Sequence, residues 1–122
     1  MDKDIRNLLI DIARRKQIIY YQELCDKCQL GLNMRENPSD RLEIGRLLGD
    51  ISTYEFNNDR PLLSAVVITK GGEEGDGFYK LCQALGLTGD WKKLKREGIF
   101  AALEIKKCHE FWSNNENYES FK

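Results

Sequence analysis

Two cysteines spaced as Cys25-x-x-Cys28 are the first residues in this chain whose types and spacing could do chemistry. This spacing occurs in zinc sites and in dithiol redox sites, and a tetrahedral zinc site would need Cys82 and either Cys108 or His109 as further ligands. Zinc ribbons usually follow the first Cys-x-x-Cys with a second such pair, whereas Cys82 and Cys108 stand alone. Because a free cysteine behaves as a small apolar residue in most folds, we interpret all four as packing residues. We expect no metal and no cofactor, with zinc binding and redox chemistry as the alternatives.

The only histidine, His109, does not form a catalytic pair with its neighbour Cys108. Adjacent residues on a helix point about 100° apart, so the two side chains diverge. Cys82 is the other thiol that could meet His109. An isolated histidine near a helix end is most often a partly exposed surface residue, and this is our interpretation.

The glycine-rich stretch KGGEEGDG, residues 70–77, carries three acids: Glu73, Glu74 and Asp76. It lacks the alternating acidic positions and the distal Glu of a calcium loop. It also lacks the Lys-Ser/Thr that follows a nucleotide-binding glycine loop. We therefore interpret the acids as solvated loop residues. Because no nucleophile or acid-base set is found, we expect no catalytic residues and a protein that is not an enzyme.

Length and charge limit the class of protein. The chain has 122 residues, with 19 basic and 20 acidic side chains and a formal net charge of −1. A dedicated nucleic-acid binder usually has a clear basic excess, so this balance favours other partners. We expect no membrane span, because no apolar run approaches about 20 residues, and a cytoplasmic location, because the cysteines are not accompanied by a secretory segment.

Seven segments are predicted to be regular. Apolar residues at helical spacing, with Ile5, Leu9 and Ile12 among them, predict the first helix. The predicted elements are this helix up to residue 16, a brief strand at 18–20, helices at 21–28 and 40–54, a strand at 63–69, and helices at 78–85 and 90–112. Gly45 and Gly49 in the third helix are expected to serve close packing. The buried side of this helix is expected to carry Leu42, Ile44, Leu47, Leu48 and Ile51.

This order of elements predicts an α+β, helix-rich domain with a winged-helix-like core, a short β wing and two additional C-terminal helices. We assign residues 1–113 to one domain and residues 114–122 to a polar C-terminal tail, in which Tyr118 and Phe121 could dock.

Three stretches carry a resemblance to a known family. They are Ile18-Ile19-Tyr20-Tyr21-Gln22-Glu23-Leu24, Ile44-Gly45-Arg46-Leu47-Leu48-Gly49 and Pro61-Leu62-Leu63-Ser64-Ala65-Val66-Val67. In their pattern of small and apolar residues, they resemble the winged-helix C-terminal domain of the alkylguanine-DNA alkyltransferases and the alkyltransferase-like proteins. The resemblance covers about residues 18–77 and implies a DNA-binding scaffold.

The chain departs from the family at the reactive positions. Where the family has its alkyl-accepting Cys, this chain has Leu62, and Leu63 and Ser64 replace the neighbouring His and Arg. By position, the family's helix Arg falls on Leu42, beside Arg41. The resemblance therefore implies the scaffold without alkyl transfer, because leucine cannot accept an alkyl group.

The charge of the expected wing distinguishes between a protein partner and DNA. An acidic wing would repel the phosphate backbone, so we expect a recognition module for another protein: an adaptor, an inhibitor or a toxin-neutralising protein. The residues expected to contact the partner are Arg41, Arg46, Asp50, Glu73, Glu74 and Asp76. The alternative is a DNA-binding protein without alkyltransferase activity. Its contact residues would be Tyr21, Arg41, Arg46 and Lys70. We expect no small-molecule substrate.

Overall fold

The computed structural model describes all residues 1–122. It contains seven α-helices and two very short strands. Their bounds are α1 Lys3–Arg14, β1 Ile19–Tyr20, α2 Tyr21–Lys27, α3 Pro38–Asn57, β2 Val67–Ile68, α4 Asp76–Ala84, α5 Trp91–Glu97, α6 Ile99–Ser113 and α7 Asn115–Phe121. None of the helices has both the length and the apolar composition that crossing a bilayer requires. The helix-rich prediction is confirmed.

Helix α1 forms where the apolar spacing predicts it. Ile5, Leu9 and Ile12 are buried on one side, and the Asp2 carboxylate accepts the N–H of Ile5 at 3.0 Å, which caps the first turn. The buried side packs against α6 and against the segment that leads into β2.

The centre of the molecule is the segment Leu62–Ile68, in which every residue is buried. It was predicted to be mostly a strand, but Leu63–Val66 is a 3₁₀ turn and only Val67–Ile68 is extended. Helices α1, α3 and α6 surround this segment, so no further strand can pair with it. Side chains satisfy part of its backbone instead. The Glu104 carboxylate accepts the N–H of Leu62 at 2.7 Å, and the Cys108 thiol donates to the carbonyl of Leu62 at 3.2 Å.

The two strands form a parallel pair, with Ile19 opposite Val67 and Tyr20 opposite Ile68. A wing is an antiparallel hairpin that extends from the second strand. Here the chain leaves β2 through a tight turn, in which the N–H of Thr69 donates to the carbonyl of Glu73 at 2.8 Å. No second strand follows. The winged-helix arrangement with a short β wing is therefore not confirmed.

The long C-terminal helix predicted over residues 90–112 is two helices, and four helices rather than two follow the loop after β2. The break is at Gly98, whose φ of 69° is in the left-handed region and ends α5. A glycine adopts this conformation without the clash that a Cβ would create.

Replacing Gly98 with Ala is expected to lower the free energy of unfolding by about 1–2 kcal/mol. A Cβ at this position meets no atom within 4 Å, so the cost is in the backbone conformation rather than in packing. Gly89→Ala is the matched control, because Gly89 also has open space but no left-handed φ. Urea denaturation of both variants measures the difference, and equal changes would contradict this explanation.

The C-terminal tail is also a helix, α7, which lies against α1 and α6. Arg6 donates to the carbonyl of Phe121 at 2.7 Å, and Arg14 donates to the side chain of Asn115 at 2.6 Å. The Arg14 guanidinium also stacks on the Tyr118 ring, 4.0 Å from its centroid. Arginines of α1 therefore hold a segment that buries little apolar surface of its own.

Candidate functional site

The contact residues predicted on α3 are exposed, but two of them, Arg46 and Asp50, already have partners. Arg46 donates to Glu43 at 2.6 Å and lies 3.3 Å from Asp50. The hydrogen bond from Arg46 lowers the pKa of Glu43. Arg41 has no ion pair. Leu42, which was predicted to be buried, is 77% exposed, because it lies on the same solvent-facing side as Arg46.

The acidic loop before α4 does not present three solvated acids. Glu74 is only 2% exposed, and neither of its carboxylate oxygens has a hydrogen-bond partner. Its predicted role as a surface contact is therefore wrong. Burial without a compensating charge raises the pKa of Glu74 to about 9, so this carboxyl is neutral at pH 7. Glu73 is exposed.

Asp76 is exposed but surrounded by lysines. Its carboxylate pairs with Lys95, and the hydrogen bond from Lys95, helped by the charges of Lys80 and Lys92, lowers the pKa of Asp76. The Lys80 and Lys92 ammonium groups also lie over the ring of Trp91, at 5.3 and 5.7 Å from its centroid. The loop predicted to be acidic therefore joins a surface that lysines dominate.

Tyr21 lies largely inside the protein. Burial raises the pKa of its phenol to about 12, and the nearby Glu74 adds to this rise. With Ser64, Gly45 and Gly49, Tyr21 lines a pocket of about 40 Å³ between α3 and α4, which has room for a few water molecules.

Gly45 and Gly49 do not serve close helix packing. A Cβ at Gly45 would meet no atom within 4 Å, and one at Gly49 would only touch Leu81 at 3.9 Å.

Lys70, the remaining residue of the DNA alternative, is exposed.

The thiols lie in or beside the core. Cys25, Cys82 and Cys108 are buried and Cys28 is half-buried. Desolvation raises the thiol pKa of Cys25 to about 11 and that of Cys82 to about 12. No three His, Cys, Asp or Glu side chains converge as a metal site would require. The ring nitrogen Nε2 of His109 lies 2.8 Å from the carbonyl oxygen of Gln17.

A second depression, between the end of α3 and the start of α6, was not predicted. It has a volume of about 350 Å³, and we call it the apolar cleft after its hydrophobic lining residues, although charged side chains also line it. Its lining residues are Phe56, Asp59, Arg60, Pro61, Leu62, Leu87, Phe100, Glu104 and Lys107. It is much larger than the pocket beside Tyr21 and opens to solvent.

Large aliphatic side chains are exposed in the lining of the cleft and on α6, next in sequence to the lining residues Phe100 and Glu104. Leu87 is 40% exposed, Leu103 is 53% exposed and Ile99 is 63% exposed. Ile99 and Leu103 are four residues apart on α6, whereas its buried side carries Ala101, Cys108 and Trp112. This i, i+4 apolar pair opposite the buried side is the sequence signal that could have identified the exposed apolar surface of α6.

Comparison with known proteins gives no relative: no family model, no curated protein and no solved structure matches this chain.

Proposed function

We propose that this chain is a non-catalytic module that binds another protein, as an adaptor, an inhibitor or a toxin-neutralising protein, and that the apolar cleft is its contact surface. The observation that carries the proposal is the exposure of Leu87, which lines the cleft, and of Ile99 and Leu103, which are next in sequence to the lining residues Phe100 and Glu104 of α6. Burying a leucine side chain contributes about 1.5–3 kcal/mol, so a partner that covers these three gains substantial free energy. Contiguous exposed apolar surface on a soluble protein marks interaction sites.

The shape of the cleft suits an anchor side chain from the partner. The aromatic rings of Phe56 and Phe100 are part of its lining, and so are four charged residues: Asp59, Arg60, Glu104 and Lys107. Protein interfaces commonly combine apolar contacts, into which one large side chain inserts, with polar contacts. The lining of this cleft offers both kinds of contact.

The environment of the nucleophilic groups supports a non-catalytic role. The buried thiols have raised pKa values, which keeps them protonated and unreactive. The hydroxyls of Ser52 and Ser64 are buried and bond to each other at 2.6 Å, and neither bonds to a histidine. None of these groups has the adjacent base that activates a nucleophile.

DNA binding is the second candidate function, and one observation favours it. The charge argument against DNA assumed three ionised acids in the loop, but Glu74 is buried and Asp76 is paired with Lys95. Arg41 and Lys70 are exposed and without ion pairs, so they are free to contact phosphate. The apolar cleft is of no use to a duplex, and we therefore rank this candidate second.

Replacing Leu103 with Glu is expected to weaken partner binding by more than about tenfold, because it places a charge in the apolar interface. Ala102→Glu is the matched control, since Ala102 is exposed on the same helix and the change in net charge is identical. The measurement is affinity capture from the native cells with wild-type and variant chains, each with and without nuclease.

We expect the wild type and Ala102→Glu to capture the same proteins in both conditions and Leu103→Glu to lose them. Equal capture by all three chains would contradict the assignment of the cleft. Capture that disappears after nuclease treatment would support the DNA candidate instead.

A further inference from the structure

A run of free cations lies on α4 and α5. Lys80, Lys92, Lys93 and Arg96 are exposed, and none of them forms an ion pair. We call these four residues the basic face. The lysines of α6, by contrast, are paired: Lys106 and Lys107 each lie within 4 Å of a carboxylate on their own helix.

The acids near the basic face leave a positive excess. Residues 76–97 contain five cations and three acids, in a chain whose net charge is −1. Asp76 is paired with Lys95, and the Asp90 carboxylate accepts the N–H groups of Lys92 and Lys93 at the start of α5. Glu97 is the third acid of residues 76–97, and Glu73 lies three residues before this stretch.

The basic face and the apolar surface adjoin along the chain. Leu87 lies four residues before the start of α5, and Ile99 follows its last residue, Glu97, after one glycine. Helix α5 therefore connects two exposed apolar residues, of which Leu87 lines the cleft and Ile99 precedes the lining residue Phe100. Because consecutive Cα atoms are about 3.8 Å apart, the Cα atom of Lys92 lies within about 19 Å of that of Leu87, a distance that a bound helical segment can span.

We propose that the partner segment bound at the apolar cleft is an acidic amphipathic peptide or helix of another protein, whose large apolar residues enter the cleft while its carboxylates face Lys92, Lys93 and Arg96. This inference rests on the proposed function and specifies the chemistry of the partner. Charge complementarity at the rim of an interface increases the association rate and excludes partners of the wrong sign. Amphipathic helices that insert apolar anchors into a groove are a common mode of recognition.

Two other polyanions fit less well. Duplex DNA interfaces are polar and strongly basic, so DNA would leave Leu103 and Ile99 without a partner. A membrane surface would require large apolar residues on the basic face itself for insertion, and α5 exposes none. The combination of an apolar cleft with adjacent lysines favours a protein segment.

The test uses labelled synthetic peptides of about 18 residues, a length sufficient for a helix. The first has leucines at helical spacing and Glu elsewhere, the second has Lys in place of each Glu, and the third keeps Glu but has Ser in place of each Leu. Binding to the full chain is measured by fluorescence anisotropy at about 50 mM and about 200 mM salt, with a labelled DNA duplex as a fourth probe.

Three variants accompany the wild type. The first replaces Lys92, Lys93 and Arg96 with Gln. Its matched control replaces Lys3, Lys16 and Lys27 with Gln, which removes the same charge from exposed residues of α1, α2 and the turn between them. The third is Leu103→Ser, which reduces the apolar surface without a change in charge.

We expect the acidic amphipathic peptide to bind the wild type best, and to bind the basic-face variant at least about tenfold more weakly while the matched control is unchanged. Equal binding of the Glu and Lys peptides, with loss only in Leu103→Ser, would overturn the acidic partner and leave the proposed function intact. Loss in the basic-face variant with no effect of Leu103→Ser would count against the cleft itself. Failure of the acidic peptide to bind at either salt concentration, or preferential binding of the duplex, would overturn the inference.

Discussion

Replacing Glu55 with Gln is expected to lower the free energy of unfolding by about 3–5 kcal/mol, the usual loss when one partner of a buried ion pair is removed. Glu55 has no exposed surface and lies between two arginines. One carboxylate oxygen accepts from Arg6 at 2.6 Å and the other accepts from Arg60. A neutral amide would leave two cations with little access to water and no counter-charge.

Glu55→Gln is also expected to weaken the attachment of the C-terminal helix α7, because both arginines contact Phe121. Arg6 bonds to its carbonyl and Arg60 lies over its ring, 5.2 Å from the centroid. Glu43→Gln is the matched control. It also removes a carboxylate from α3, but its partner Arg46 is exposed and the expected loss is below about 1 kcal/mol. Urea denaturation measures both variants, and similar losses would show that Glu55 acts as an ordinary surface residue.

The second large effect concerns the pH dependence of stability and comes from Glu74. Its pKa is about 9 in the folded protein, whereas a carboxyl in the unfolded chain has a pKa near 4.5. Between these values the folded state holds a proton that the unfolded state has released. Stability therefore falls as pH rises through this window, by about 1.4 kcal/mol per pH unit, and the effect levels off above pH 9.

Glu74→Gln removes this dependence, because the amide does not titrate. The stability of the variant relative to the wild type is expected to increase by up to about 4 kcal/mol between about pH 5 and about pH 8. Glu73→Gln is the control, since Glu73 is the adjacent residue and is exposed. Unfolding free energies measured across this pH range for the three chains provide the test. A constant difference between Glu74→Gln and the wild type would mean that the carboxyl is hydrated and ionised in the folded protein.

Much of the helical architecture could be predicted from local patterns. The apolar spacing around Ile5 and Leu9 is enough to identify α1, since a helix buries one side of such a pattern. The same spacing rule misplaced Leu42, because Leu42 lies four residues before Arg46 on the solvent-facing side of α3. The break at Gly98 was missed, since a glycine inside an apolar pattern is compatible with both a continuous helix and a left-handed end.

The central segment could not be predicted from its own residues. Its apolar residues favour a strand throughout, but only Val67–Ile68 has a strand neighbour, and helices surround the turn Leu63–Val66 on several sides. Its turn is stabilised by Glu104 and Cys108, which lie more than 40 residues further along the chain. Local propensity contains no information about such distant contacts.

The candidate site was predicted in part. Charged residues on α3 and in the loop were expected at the surface, and Arg41, Arg46 and Glu73 are exposed. The burial of Glu74 was not foreseen, because a Gly-rich acidic stretch is typical of a solvated loop. The apolar cleft was not foreseen either. It forms only where the end of α3 meets the start of α6, so the sequence of α6 indicates an exposed apolar pair, Ile99 and Leu103, but not the cleft itself.

Because the hydroxyls of Ser52 and Ser64 are hydrogen-bonded to each other, the effect of a substitution at one position depends on the residue at the other, 12 residues away. Ser52 also accepts the N–H of Ser64 at 3.0 Å, and both side chains are buried. Losing one hydroxyl leaves a buried donor or acceptor without its protein partner, whereas exchanging both for apolar groups of similar shape costs much less. Across descendants of a common ancestor, these two positions should therefore covary, and a substitution at one should rarely be fixed without a compensating substitution at the other.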